Sequence, residues 1–124
     1  MSSLLPNGAD NFSGLLAGEA LGAFDAVYIK QSDGKVYKST GAAANAAAKV
    51  RGYAAGPTAI GEAVTIYKNI RVRYATDLSA LIGANVFLSG TVAGGLADAA
   101  STGGTAAIGF VVDKTRIHLH GSNY

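Results

Sequence analysis

The chain has 124 residues, with ten basic and eight acidic side chains, a net charge of +2, two histidines and no cysteine. That length supports one domain. The missing cysteines exclude a disulfide framework and thiolate zinc sites, and cations scattered along the whole chain do not make the clustered basic face of a nucleic-acid binder. Hydrophobic residues make up 49% of the chain, but 24 of them are alanine, and the 17 glycines have no side chain to bury. Burial is worth about 25 cal/mol per Å² of apolar surface. The larger side chains (Phe24, Val27, Ile29, Val64, Ile66, Val72, Val86, Leu88, Ile108, Phe110 and Val112) are therefore expected to carry the core. A core this thin predicts added subunit contacts in a homo-oligomer.

Residues 1–17 mix Ser, Asn, Gly and Pro6 with Leu4, Leu5, Phe12, Leu15 and Leu16. The segment is too polar for a core element and too apolar for a plain linker. It fits either a frayed terminus or an extended arm that orders on a partner. It has neither the charged region nor the apolar core of a signal peptide. No later stretch approaches the length of a membrane span, so a soluble protein made in the cytoplasm, without a membrane partner, is expected.

Residues 26–30 alternate and are rich in β formers, Ser32-Asp33-Gly34 signals a turn, and residues 35–38 return as a second strand. The run over residues 42–49, six alanines with Asn45 and Lys49, has the strongest helix propensity of the chain and predicts one short helix. Strands follow over residues 50–55, 62–67 and 70–74. In the last, Ile70, Val72 and Tyr74 share one face while Arg71 and Arg73 point to water or a partner. Residues 77–82 predict a helical turn, 85–89 a strand, 94–95 a tight turn and 97–105 a polar loop. Strands over residues 105–112 and 116–120, joined at Asp113-Lys114-Thr115, close the chain.

An internal echo organises these elements. Gly22-Ala23-Phe24-Asp25-Ala26-Val27-Tyr28-Ile29, then Gly34-Lys35-Val36 and Gly52-Tyr53, corresponds to Gly83-Ala84-Asn85-Val86-Phe87-Leu88, then Gly95-Leu96 and Gly109-Phe110. The spacing agrees: 25 residues from Val27 to Gly52 and 23 from Val86 to Gly109. Both glutamates also sit in one motif, as Gly18-Glu19-Ala20 and Gly61-Glu62-Ala63. Repetition of this kind predicts a mainly all-β fold. The expected form is a small barrel or compact sandwich of two similar halves over residues 18–124, with the short Ala-rich helix between them and an N-terminal arm over residues 1–17.

No constellation of reactive residues stands out. Arg116, His118 and His120 alternate along the last strand and share a face. Histidines at i and i+2 have a spacing that suits a metal, but no cysteine is near and Asp113 is the nearest carboxylate in sequence. A polar face on an edge strand, exposed or in an interface, is the plainer reading. In acid these histidines would repel one another and weaken any assembly they meet in. Glu19 and Glu62 resemble a paired-acid set only in composition, and turn positions explain both. Neither a P-loop, a dinucleotide fingerprint nor a serine nucleophile elbow occurs. Asp113-Lys114 lies in the last hairpin, not the middle one, which sets aside a biotinyl or lipoyl carrier. Lys30, Lys35 and Lys38, and Arg71 with Arg73, suit an acidic surface or phosphate, or plain solvation. No enzyme, cofactor or metal is expected.

The order Gly-Glu-Ala-Leu, Asp-Ala-Val-Tyr-Ile, Asp-Gly-Lys-Val-Tyr-Lys, Ala-rich run, Arg-Gly-Tyr-Ala, Gly-Glu-Ala-Val-Thr-Ile, Gly-Ala-Asn-Val-Phe-Leu, Ile-Gly-Phe-Val-Val resembles the capsid decoration (cement) proteins of tailed bacteriophages over residues 18–120. It is similar to the branch with a two-half β-barrel or tulip-like fold. The resemblance implies a head-stabilising virion protein on the capsid exterior. It would bind the major capsid protein at symmetry axes, commonly as a trimer, without direct contact to nucleic acid. Leu4, Leu5, Phe12, Leu15 and Leu16 would anchor the arm, and Arg71, Arg73, Arg116, His118 and His120 would face a sister subunit or the shell. The alternative is a glycan-binding adhesion module using Tyr28, Tyr37, Tyr67 and Tyr74.

Overall fold

A computed structural model describes residues 11–74 and 77–122. Its strands are β1 (Asn11–Leu16), β2 (Ala26–Ile29), β3 (Val36–Lys38), β4 (Gly52–Ala54), β5 (Ala63–Tyr67), β6 (Ile70–Arg73), β7 (Asn85–Leu88), β8 (Leu96–Ala97), β9 (Gly109–Val111) and β10 (Arg116–Leu119). They make two five-stranded sheets, ordered β1-β5-β4-β2-β3 and β6-β10-β9-β7-β8, in which every strand pairing is antiparallel. Each strand of the second order lies five places later in the chain than its counterpart in the first. The fold is all-β, and one unit is built twice.

The register repeats along with the order. Ala26 pairs with Tyr53 and Val27 with Gly52, as Asn85 pairs with Phe110 and Val86 with Gly109. Tyr53 then faces Tyr67, as Phe110 faces His118. Asn11 faces Tyr67 as Arg71 faces His118, although β1 carries a bulge between Phe12 and Leu15 that β6 lacks. Two turns match as well. The amide of Phe24 donates to Ala54 and that of Gly83 to Val111, at 2.8 and 2.9 Å. Both turn residues have positive φ, +61° for Phe24 and +83° for Gly83. The structural counterpart of Gly83 is thus Phe24, not Gly22 as the sequence echo suggested. A bulky side chain occupies a backbone region that glycine enters without strain.

The first half closes on itself. Ala17 just after β1 makes a parallel bridge to Val36 on β3, and the Gly18 amide donates to the Val36 carbonyl at 2.8 Å. The sheet thereby curls back on itself around Val27, Val36, Ala54, Val64 and Ile66. In the second half, the counterpart of Ala17 lies outside the described residues. Its core of Val86, Leu88, Ile108, Val111, Ile117 and Leu119 is completed by Ala26, Val50 and Tyr53 from the first half.

Several expectations need correction. Residues 42–49 form no α-helix. One 3-10 turn spans Ala46–Ala48, and the Asn45 side chain accepts from the Ala47 amide at 3.0 Å. Asn45 interrupts the alanine run and caps a new start, leaving too few residues to offset helix nucleation. The Gly-Glu-Ala echo is not a repeat position, since Glu19 lies between β1 and β2 while Glu62 immediately precedes β5. Phe24 and Phe110 are exposed rather than core, and Tyr53 is fully buried instead. Residues 11–16 of the expected arm are paired with β5, and Leu4 and Leu5 lie outside the described residues.

Gly52 and Gly109 occupy one position in the duplicated unit, and a side chain is excluded from both. A methyl group on Gly109 would overlap the His118 carbonyl oxygen, and one on Gly52 would overlap Ile66 and come within 2.8 Å of the Tyr67 carbonyl oxygen. Gly109→Ala and Gly52→Ala should each destabilise by about 1–3 kcal/mol in urea unfolding, the usual cost of overpacking. Gly56→Ala, where nothing lies within 4 Å of the new methyl group, should be close to neutral. Wild-type stability for Gly109→Ala would refute the register.

Candidate functional site

The outward face of the second sheet collects four of the five residues expected at an interface, Arg71, Arg73, Arg116 and His118. Along β10, Ile117 and Leu119 point into the core, so Arg116 and His118 point outward. On β6, Ile70 and Val72 pack inward while Arg71 and Arg73 are exposed. On β9, Phe110 stands outward between buried Gly109 and Val111, 44% exposed. Cross-strand pairing aligns Asn85, Phe110, His118 and Arg71 as one row. The Phe110 and His118 rings lie 5.4 Å apart, tilted by 40°.

Arg116 is neutralised locally. Its Nε donates to Asp113 Oδ2 at 2.8 Å and its terminal nitrogen lies 2.7 Å from the same oxygen. Asp113 Oδ1 also accepts from the amides of Thr115 and Arg116 at 2.9 Å each. The Arg116 hydrogen bond, then the Thr115 amide, hold the Asp113 carboxyl well below its ordinary range. No carboxylate pairs with Arg71 or Arg73 among the described residues. His120 belongs elsewhere, since its Nδ1 meets the Gly121 carbonyl at 2.8 Å and its own carbonyl accepts from Tyr53. Among the described residues no three His, Asp or Glu side chains gather as a metal site.

The corresponding row of the first sheet is Asn11, Tyr67, Tyr53 and Ala26. Its Tyr53 and Ala26 are fully buried against the second half. The row around Phe110 is therefore the uncovered copy of a face that the molecule buries once already. Sequence reasoning missed this because Tyr53 and Phe110 follow the same Gly-aromatic pattern. The strand period gives the direction of a side chain but not what covers it.

Between the segment after β6 and β8, a cleft of about 370 Å³ opens onto the second core. Buried Leu78, Val86, Val111 and Ile117 form its floor, and exposed Tyr74, Asp77 and Asp98 stand at its mouth. Nothing in the sequence patterning pointed to Asp77 or Asp98.

The remaining candidates are dispersed. On the edge strand β1, Phe12 and Leu16 are 43% and 46% exposed, while Leu15 packs against the first core. Glu19 accepts from the Lys38 amide at 3.3 Å, tying the β1–β2 connection to β3, and Glu62 accepts from the Ala59 amide at 2.7 Å within a local turn. Of the four tyrosines considered for a glycan platform, Tyr28 and Tyr37 are brought together, with ring centroids 6.2 Å apart. Lys30 lies over the Tyr37 ring at 5.0 Å, and the Tyr37 hydroxyl donates to Asp33 at 2.6 Å. That bond lowers the Asp33 carboxyl below its ordinary range and raises the Tyr37 phenol above its own. No helix among the described residues is long and apolar enough to cross a membrane.

Asp113 gives a pH signature. Its folded pKa lies below that of the unfolded chain, so its stabilisation is complete above the ordinary carboxylate range and fades as pH falls through about 4 and below. Asp113→Asn should lower the melting temperature at neutral pH, and its deficit against wild type should shrink on acidification to about pH 2. A deficit independent of pH would contradict the Asp113–Arg116 assignment.

Compared with known proteins, the chain matches no family model and no curated protein.

Proposed function

We propose that this chain is a structural virion protein that decorates a tailed-phage capsid. In this reading it binds the outer surface of the major capsid protein lattice at symmetry axes as a homotrimer. The observation that carries the reading is β1. It is an edge strand, presents Phe12 and Leu16 to solvent, and follows directly on the segment containing Leu4 and Leu5. The duplicated all-β body with a resemblance to cement proteins supports it.

The mechanism is mechanical. An extended N-terminal segment adds to an exposed sheet edge of the capsid protein, where main-chain hydrogen bonds give affinity and Leu4 and Leu5 fill pockets. One such arm buries little area, but three held on one body act at high effective concentration, a gain of about 10²–10⁴. Because the protein binds assembled capsomers and not separated ones, mass action favours the intact shell. The charged face with Arg71, Arg73 and His118 lies toward a sister subunit or the shell.

Deletion of residues 1–10 should leave the fold intact and abolish cosedimentation with decoration-free tailed-phage capsids. Deletion of residues 1–16 also strips β1 from β5 and should lower stability as well. Full capsid occupancy by the shorter deletion would overturn the arm's role. Binding to a glycan array with no binding to any capsid would favour the alternative, in which Tyr28 and Tyr37 face a sugar.

A further inference from the structure

Among the described residues, the chain passes from the first sheet to the second once, between Tyr67 at the end of β5 and Ile70 at the start of β6. Lys68 and Asn69 make that crossing, and both are exposed. No backbone hydrogen bond closes a turn there among the described residues, and neither glycine nor proline bends the chain. Neither residue has a positive φ, so both lie on the side of backbone space from which an extended strand is reached. The alternation also runs through the bend without losing phase. Val64 and Ile66 pack into the first core and Ile70 and Val72 against the second, all at even positions. Thr65, Tyr67, Arg71 and Arg73 take the other face. Residues 63–73 thus have the pattern of one long strand that the fold bends in the middle.

We propose that copies of this chain exchange halves. The second half of one chain docks on the first half of a second copy, with β5 and β6 straightened into one strand across Lys68-Asn69. The surface exchanged is the one already formed inside a single chain. Ala26, Val50 and Tyr53 complete the second core. The Gly94 amide donates to Ser39, Gly41 to Ser89 and Ser122 to Val50, at 2.7, 2.9 and 2.8 Å. None of these residues belongs to the bend, so each contact re-forms between two chains as it does within one. Exchange sacrifices only the bend itself, which makes it a low-cost route to an oligomer. The straightened segment, with Thr65, Ile66, Tyr67, Ile70 and Val72 around the crossing, is rich in β formers.

Two physical consequences follow from the exchange. Release of a partner requires breaking the whole Tyr53 interface, so an exchanged assembly persists on dilution, whereas one held by surface contacts dissociates. Hinge length sets the balance, because a shorter crossing cannot fold back on its own chain and a longer one closes freely. The proposal does not rest on the capsid reading. It admits the trimer of that reading when each second half docks on the next copy around a closed ring.

Refolding of the full chain from urea at high protein concentration, followed by dilution and size-exclusion chromatography, tests this. Wild type should give an oligomer fraction that survives dilution. Deletion of Lys68 and Asn69 should leave only oligomer, and a flexible Gly-Ser segment inserted between them should remove it. Lys68→Thr with Asn69→Thr, which extends the run of β formers, should raise the oligomer fraction about threefold or more. Circular dichroism reports whether each variant is folded. A wild type without a persistent oligomer overturns the proposal. So does a folded, monomeric deletion variant, or an insertion variant that keeps the oligomer. Where the deletion variant does not fold, an unchanged oligomer fraction in Lys68→Thr/Asn69→Thr overturns it. Loss of capsid binding with exchange intact would count against the capsid reading alone.

Discussion

Burial of one tyrosine between the two halves is the constraint on which the rest of this structure depends. The core of the second half is not made of its own residues alone. Tyr53 inserts from the first sheet beside Ala26 and Val50 and completes that core. Its hydroxyl donates to the His120 carbonyl at 2.8 Å, with Ile108 O at 3.4 Å, and burial pushes the phenol far above its ordinary range. An aromatic ring supplies a large apolar area, and its hydroxyl finds the acceptor that a buried phenol needs. Around it the halves are stitched by backbone bonds. Ala26 donates to Gly94, Gly94 to Ser39 and Gly41 to Ser89, at 2.9, 2.7 and 2.9 Å. At the chain end, the Val50 amide meets the Ser122 hydroxyl and the Ser122 amide meets the Val50 carbonyl, both at 2.8 Å. With so many alanines and glycines, neither half holds enough apolar area to stand well alone.

Duplication followed by unequal packing explains the exposed features. Equivalent residues share register, turn bonds and the excluded side chain at Gly52 and Gly109, but their surroundings diverge. The first unit closes at Ala17 and Val36 and hides its aromatic face. The second carries its aromatic face outside. Side chains at matching positions have changed to suit, from the buried Ala26-Tyr53 pair to the exposed Asn85-Phe110 pair. Phe24 is the discordant member, an exposed aromatic at φ +61° where the second unit has glycine.

Much of the fold was legible in the sequence because period-two alternation and Gly-Asp-Asn turn signals are local. The positions of Val27, Val86, Gly52 and Gly109 in the echo are the positions the structure makes equivalent. The misreadings arise where the deciding contact is distant in sequence. Phe24 and Phe110 look like core by composition, but their burial depends on which half covers which. The alanine run looks helical by propensity, but Asn45 and the docking of the loop on the second half limit it to one turn. Of the interaction face, Arg71, Arg73, Arg116 and His118 could be read from alternation. His120, one residue past the strand, turns toward the junction instead. The cleft left no local trace, since Asp77 and Asp98 lie on separate connections, one after β6 and one after β8.

The account stands or falls on the unequal environments of Tyr53 and Phe110, two aromatic residues at one position of the repeated unit. Equilibrium unfolding of Tyr53→Ala and Phe110→Ala, at a concentration where the chain is monomeric, compares them directly. Tyr53→Ala should cost about 3–5 kcal/mol, as for a buried aromatic, and Phe110→Ala less than about 1 kcal/mol, as for a surface residue. Equal losses at the two positions would contradict the account.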